Sequence, residues 1–292
     1  MKKVMVLGSG FMGSGIAQVC AAGGLDVLFW DLSAELIEKS IAKIAAGLDA
    51  RIAKGKETAQ RRDEILSHLI PCPDLRGAAQ AELILEVVLE DEAVKQQVLT
   101  QVEGYASEDA YLATNTSYIP ITSLAACLKR PERFIGLHFF GPVPAMKLLE
   151  IIRGARTSDA ALQMGLDFAQ QIGKTPVVVN RDTPGFVVNR INAALRLEAY
   201  HILHEGIASI QDIDQAMKLG LNHPMGPFEL NDMSGIELGL AGLETMYERT
   251  GEERWKPVPE VYERVARGEL GRKTGKGWYD YTTGERTPRA DL

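Results

Sequence analysis

A short apolar run, Val4-Met5-Val6-Leu7, stops at Gly8-Ser9-Gly10-Phe11-Met12-Gly13 and passes straight into a longer amphipathic stretch. Nothing else in the chain restricts its fold as strongly. Physically, Gly8 permits a tight turn, Gly10 removes a side chain so that main chain can approach a ligand, and Gly13 lets a helix pack closely on a strand. The GxGxxG spacing alone is a weak signal. It gains meaning here because it stands between a strand-like and a helix-like segment.

The segments that follow keep the same alternation of short apolar runs with long amphipathic ones, which is the pattern of βαβ units around a parallel sheet. Strands are expected at Lys3–Leu7, Asp26–Phe29, Leu83–Val87, Ala110–Thr114, Phe134–His138, Leu148–Ile152 and Thr175–Val179. Helices are expected at Phe11–Ala22, Ser33–Lys54, Glu92–Tyr105 and Asp159–Ile172. Most of the strand runs are continuously apolar, as strands covered on both faces are. The pattern predicts an α/β, Rossmann-like doubly wound sheet.

Beyond Asn180 the pattern turns helical, with one aromatic strand candidate at Trp278-Tyr279-Asp280-Tyr281 near the end. Thr183-Pro184 reads as a helix start, a side-chain oxygen at the N-cap followed by proline at the first helical position. Helices are expected at Gly185–Glu205, Ile210–Leu219, Phe228–Glu248 and Pro259–Arg267, with a punctuated turn at Asn222–Pro227. The chain therefore divides into a dinucleotide-binding domain over residues 1–182 and an all-α domain over 183–292. A length of 292 residues agrees with two domains.

Composition narrows the partners. Thirty-two Lys+Arg stand against 39 Asp+Glu, a net charge of −7, which excludes an overall electrostatic footprint for nucleic acid. An anionic ligand must then meet a local basic patch. The three cysteines, Cys20, Cys72 and Cys127, show no metal-ligand spacing, so a reducing compartment and no metal are expected. No apolar stretch approaches the roughly 18 residues of a membrane span, and the expectation is a cytoplasmic protein without a membrane partner.

Asp31 lies 18 residues beyond Gly13, at the end of the second strand, where the dinucleotide fingerprint expects a carboxylate on the ribose 2′-hydroxyl. A carboxylate there repels a 2′-phosphate, so NAD is expected rather than NADP. In open α/β sheets the ligand crevice lies beyond the carboxyl ends of the strands. Polar residues at those ends are Asn115-Thr116-Ser117, His138 and, on the next strand, Glu150. A histidine paired with a carboxylate is what a general base requires. The structural alternatives are a core histidine beside aromatics, an ordinary polar turn and a glutamate paired with a structural arginine.

Several motifs in order resemble the 3-hydroxyacyl-CoA dehydrogenases: Gly-Ser-Gly-Phe-Met-Gly-Ser-Gly-Ile-Ala at 8–17, Asn-Thr-Ser at 115–117, His-Phe-Phe-Gly-Pro-Val at 138–143, Thr-Pro-Gly-Phe-Val-Val-Asn-Arg at 183–190, His-Pro-Met-Gly-Pro-Phe-Glu-Leu at 223–230 and Gly-Arg-Lys-Thr-Gly-Lys-Gly-Trp-Tyr at 271–279. The resemblance runs along nearly the whole chain. It implies NAD-dependent oxidation of an (S)-3-hydroxyacyl-CoA to the 3-oxoacyl-CoA, or the reverse. By position it makes His138 the catalytic base, Glu150 the carboxylate that orients it, Ser117 a contact to substrate and cofactor, and Asn189 a polar group beside the substrate. It assigns cofactor contacts to Gly8, Gly10, Phe11, Met12, Gly13, Asp31, Glu90, Lys95, Asn115, Ser117 and Lys273. It implies an acyl-CoA thioester as substrate and a homodimer formed through the helical domain.

One position departs from the family. Asparagine is usual where this chain has Gly141, directly after His-Phe-Phe, and an amide beside the reaction centre can hold a substrate oxygen or the base. For the phosphates of coenzyme A, the expected basic patch is Arg51, Lys54, Lys56, Arg61 and Arg62, opposed between residues 51 and 62 only by Glu57. Lys54 is the best match to a basic contact. Two other functions remain compatible with the sequence: a dehydrogenase of a free hydroxy acid or sugar acid, which would not need that cluster, and a redox-silent relative that keeps the fold. For the cofactor, Asp31→Arg is expected to weaken NAD binding by on the order of tenfold to a hundredfold, the worth of a charged hydrogen-bond pair, while weakening NADP far less. Equal losses for the two dinucleotides in a fluorescence titration would remove Asp31 from this role.

Overall fold

The computed structural model describes residues 1–289. By contacts the chain divides into two units, Met1–Thr183 and a second from Pro184 onward.

The first unit is built on eight strands in the order β3-β2-β1-β4-β5-β6-β7-β8. They are β1 (Lys3–Leu7), β2 (Asp26–Trp30), β3 (Leu69–Pro71), β4 (Leu83–Glu86), β5 (Tyr111–Thr114), β6 (Phe134–Phe139), β7 (Leu148–Ile152) and β8 (Thr175–Val179). The helices are α1 (Phe11–Ala22), α2 (Ala34–Ala53), α3 (Ala59–Ser67), α4 (Glu92–Glu103), α5 (Ile121–Ala125) and α6 (Asp159–Gln171). The first six strands are parallel, and β1 lies at the centre between β2 and β4. This is the point where the strand order reverses and a crevice opens.

The sheet departs from the expected parallel pattern at one pair. β7 runs antiparallel to β6, and β8 then pairs parallel with β7. The reason is the connection: residues 140–147 join β6 to β7 without a helix, too little chain for the crossover that parallel strands require.

The glycine turn follows from sterics. Gly8 has φ +108°, and a Cβ there would lie 2.6 Å from the Val87 carbonyl oxygen. A Cβ on Gly13 would lie 1.8 Å from the Gly8 carbonyl oxygen. Both positions therefore exclude any side chain unless the main chain moves. The core beneath is formed by Val4 and Val6 of β1, Val27 and Phe29 of β2, and Leu83 and Leu85 of β4, packed against Ile16, Cys20 and Ile37 of the helices.

The second unit contains α7 (Val188–His204), α8 (Ile210–Gly220), α9 (Pro227–Ser234), α10 (Ile236–Thr250) and α11 (Pro259–Ala266). The unit is helical as expected, and within the expected strand candidate a two-residue strand β9 (Tyr279–Asp280) pairs antiparallel with β10 (Thr287–Pro288). Two helix boundaries differ from expectation. Gly185 and Phe186 have φ of +77° and +46°, left-handed conformations that delay the first helix until Val188. The helix expected over 228–248 is broken at Gly235, whose φ is +105°. The ring cluster of Tyr200, Phe228 and Trp278 fills the centre of this unit, and the Asp232 carboxylate accepts the main-chain N–H groups of Trp278 and Tyr279 at 2.9 and 3.0 Å.

Candidate active site

Antiparallel pairing places His138 of β6 directly opposite Glu150 of β7. Their side chains meet: His138 Nδ1 is 2.8 Å from Glu150 Oε2. Both are buried, His138 at 3% exposure and Glu150 at 0%. A carboxylate can only accept, so Nδ1 carries the proton and Nε2 of the neutral ring is left as an acceptor. Nε2 faces the Ser117 hydroxyl at 3.0 Å. The Phe140 ring packs edge-on to the imidazole with centroids 4.6 Å apart.

Ser117 sits in the loop after β5, and that loop is held from below. Asn115 Oδ1 accepts the Phe139 N–H at 2.8 Å, tying the end of β5 to the end of β6. Glu90 Oε1 accepts from Thr116 Oγ1 at 2.5 Å, from the Ser117 N–H at 2.9 Å and from the Tyr118 N–H at 3.3 Å. Its other oxygen is 3.3 Å from Lys95 Nζ. Desolvation alone would raise the Glu90 carboxyl, but the Lys95 charge and these donors outweigh it and hold the group below the usual carboxylate range.

Lys95 lies beneath this loop. Its side chain is buried, and Nζ donates to Glu86 Oε1 at 2.8 Å and to the Val88 carbonyl at 3.3 Å. Glu86 in turn accepts from the Thr114 hydroxyl at 2.6 Å and the Val88 N–H at 2.6 Å. Burial pushes its carboxyl up despite the lysine. Lys95 thus bridges Glu86 and Glu90. Glu86 escaped the sequence reading. The available signal for Glu86 was a carboxylate closing the apolar run Leu83-Ile84-Leu85, which must find a cation if it is buried.

The glycine turn provides the other wall. Asp31 Oδ2 accepts the Ser9 N–H at 2.7 Å and the Ser9 hydroxyl at 2.6 Å, which brings the carboxylate against the turn. Helix α1 starts at Gly10 with no side-chain cap, so its first N–H groups, including those of Phe11 and Met12, are available to an anion. A Cβ at Gly10 would meet nothing within 4 Å. A cleft of about 280 Å³ opens here between Ser9, Gly10, Phe11, Asp31 and Lys43. An open glycine, an uncapped helix start and an adjacent carboxylate fit the pyrophosphate and ribose of a dinucleotide.

Gly141 has a local cause. A Cβ at this position would lie 2.8 Å from Phe11 Cε1 and 3.4 Å from Met12 Sδ. The missing side chain is the space that the Phe11 ring fills.

The basic cluster is weaker than its sequence suggests. Arg62 pairs with Asp49 at 2.9 Å and Asp63 at 2.8 Å, Arg61 with Glu64 at 3.2 Å, and Arg51 with Glu57 at 3.8 Å. Carboxylates just outside the 51–62 segment neutralise it. Lys54, at the C-cap of α2, and Lys56 remain exposed and form no ion pair among the described residues. In the second unit, Asn189 lies in the first turn of α7. Lys273 donates to Glu237 of α10.

Comparison with known proteins gives the family. The profile of the 3-hydroxyacyl-CoA dehydrogenase NAD binding domain matches residues 3–183, and that of the C-terminal domain matches residues 185–281. The chain belongs to the 3-hydroxyacyl-CoA dehydrogenase family. Within the family it is 40% identical over 288 residues to a 3-hydroxybutyryl-CoA dehydrogenase of Bradyrhizobium diazoefficiens, covering 99% of this chain and 98% of that one. The crystal structure of an (S)-3-hydroxybutyryl-CoA dehydrogenase from Ralstonia eutropha superposes with a TM-score of 0.92 at 41% identity, over 97% of this chain and 99% of that one. A 3-hydroxyadipyl-CoA dehydrogenase of Escherichia coli is 39% identical over 282 residues, 96% of this chain and 59% of its own length.

The buried lysine gives a direct test of the network. Lys95→Met leaves Glu86 and Glu90 without their cation and is expected to cost about 3–5 kcal/mol, as breaking a buried ion pair does. The double variant Glu86→Leu/Lys95→Met should recover about half of that loss in urea denaturation. A Lys95→Met protein as stable as the wild type would show that the cation is not needed.

Proposed function

We propose that this protein oxidises an (S)-3-hydroxyacyl-CoA to the 3-oxoacyl-CoA with NAD, reversibly, with His138 as the general base. The observation that carries this reading is the buried His138–Glu150 pair with Ser117 on the outer ring nitrogen, beside a glycine turn whose helix start is uncapped.

The chemistry follows from those atoms. His138 Nε2, the acceptor of the neutral ring, takes the proton of the substrate 3-hydroxyl. The imidazolium that forms is buried against Glu150, whose negative charge is already in place and needs no reorganisation. Ser117 donates to Nε2 in the resting site and turns its hydroxyl to the substrate oxygen when that oxygen arrives. When bound, the nicotinamide ring supplies the acceptor for the hydride released from C3. In the reverse direction the imidazolium returns its proton to the carbonyl oxygen. Asp31 and the N–H groups at the head of α1 hold the dinucleotide, Asp31 favouring NAD over NADP, and Glu90 keeps the Ser117 loop in place. In this reading Asn189 borders the substrate, Lys273 contacts the cofactor, and the second unit serves substrate binding and homodimer formation.

The acyl group is short or of medium length. Relatives of nearly equal similarity carry names for butyryl and adipyl thioesters, so the shared reaction is better supported than any one chain length. With all four arginine ion pairs of the basic cluster internal to it and its flanks, the coenzyme A phosphates rely on Lys54 most. The three free cysteines fit a reducing, cytoplasmic setting.

His138→Gln is expected to lower kcat for 3-oxoacyl-CoA reduction by about 10²–10⁴-fold, the usual worth of a general acid–base group, with NADH binding retained. Glu150→Gln should shift the pH–rate profile through its effect on the base. Near-normal turnover in His138→Gln, across thioesters of increasing chain length, would overturn the assignment.

A further inference from the structure

Residues 140–147 carry the chain from His138 to Glu150, so whatever fixes this connection also fixes the two strands that hold the pair. It has one internal turn, in which the Ala145 and Met146 N–H groups donate to the Pro142 carbonyl at 2.9 and 3.1 Å. Its remaining restraints come from two sides. On one side Val143, 2% exposed, packs into the gap left by Gly15 of α1, where a Cβ would lie 2.8 Å from Val143 Cβ. On the other, Lys174 reaches in from the turn between α6 and β8. Its ammonium donates to the carbonyls of Val143 and Met146 at 2.5 and 2.6 Å.

Lys174 is an unusual lysine. It is 8% exposed, and no carboxylate lies within ion-pair distance of it among the described residues. Burial pushes its ammonium below the ordinary lysine range. A buried cation satisfied only by carbonyls costs stability relative to an apolar residue of the same length. It gains a fixed geometry instead: two carbonyls three residues apart are pinned to one atom, while the side chain between them is pressed on the helix that carries the glycine turn. The main chain at Lys174 is itself anchored, since its N–H donates to the Ala169 carbonyl at 2.8 Å.

We propose that Lys174 is a positioning residue of the dehydrogenase reaction: by clamping the Val143 and Met146 carbonyls it holds the β6–β7 connection against α1 and so sets the spacing between His138 and the dinucleotide turn. The inference rests on the function proposed above. Lys174 touches neither substrate nor cofactor. Its effect passes through the loop, and a displacement of about 1 Å in a reacting geometry is enough to cost a hundredfold in rate.

The test compares Lys174→Met with wild type in 3-oxoacyl-CoA reduction, using NADH and [4-²H]NADH and expressing rates per folded molecule. Expected are a fall in kcat of about tenfold to a hundredfold, a larger deuterium isotope effect as hydride transfer becomes rate-limiting, and little change in NADH affinity by fluorescence. Gly15→Ala, which pushes Val143 from the opposite side, should give the same split and serves where Lys174→Met does not fold. A lower melting temperature with unchanged kcat and isotope effect in either variant would overturn the inference and leave the reaction standing. A wild-type enzyme inactive on every 3-oxoacyl-CoA would overturn both.

Discussion

The pairing register of β6 and β7 is the constraint on which the rest of the site depends. Side chains alternate across a strand, so His138 and Glu150 can meet only if they sit opposite each other on the same face. The neighbours enforce this. Leu137 and Phe139 on β6, and Leu149 and Ile151 on β7, all enter one apolar core. A slip of one residue in β7 would turn Glu150 into that core and take Leu149 and Ile151 out of it. The His138–Glu150 pair is thus kept in register by hydrophobic burial on the other face of the same two strands, and the short antiparallel connection makes the arrangement possible.

Around this pair the first unit commits buried charge in an ordered way. Glu86, Lys95 and Glu90 form a chain that ends on the Ser117 loop, and Lys174 grips the β6–β7 connection. Glu86, Lys95 and Lys174 are not cheap sources of stability, because each is buried and a well-packed apolar residue would often do as well. Their common property is location. Each fixes main chain at or next to the carboxyl ends of the central strands, where Asp31, Ser117 and His138 are presented.

Much of this was legible in the sequence because it is local. The glycine turn, the long amphipathic helices, Asp31 and the polar residues after β5 and β6 are each defined within a few positions of their neighbours. Other features are set by distant chain. β3 is three residues long, ends in Pro71 and lies at the sheet edge, too short for any periodicity. The late start of α7 and the break at Gly235 depend on the sign of φ, which residue type only suggests: Phe186 adopts a positive φ without being glycine. Charge misled for the same reason. Nothing near Lys95 in the chain marks Glu86, at the end of a strand, as its partner, and the arginines near residue 60 are matched by acids just beyond the segment that looked basic.

Gly141, the departure from the family pattern, stands against the glycine turn. Its missing side chain is occupied by Phe11, from the turn that the sequence marks most clearly, so the two positions have to be considered together. The proposed chemistry stands on one proton, that on Nδ1 of His138. The most direct measurement is the ¹⁵N NMR spectrum of the histidine rings of the intact enzyme above their titration range, with His138 assigned by comparison with His138→Gln. The account predicts the Nδ1–H tautomer for His138, with Nε2 an acceptor, and loss of that preference in Glu150→Gln. A wild-type ring protonated on Nε2 would contradict it, because that nitrogen could not then take a proton from the substrate.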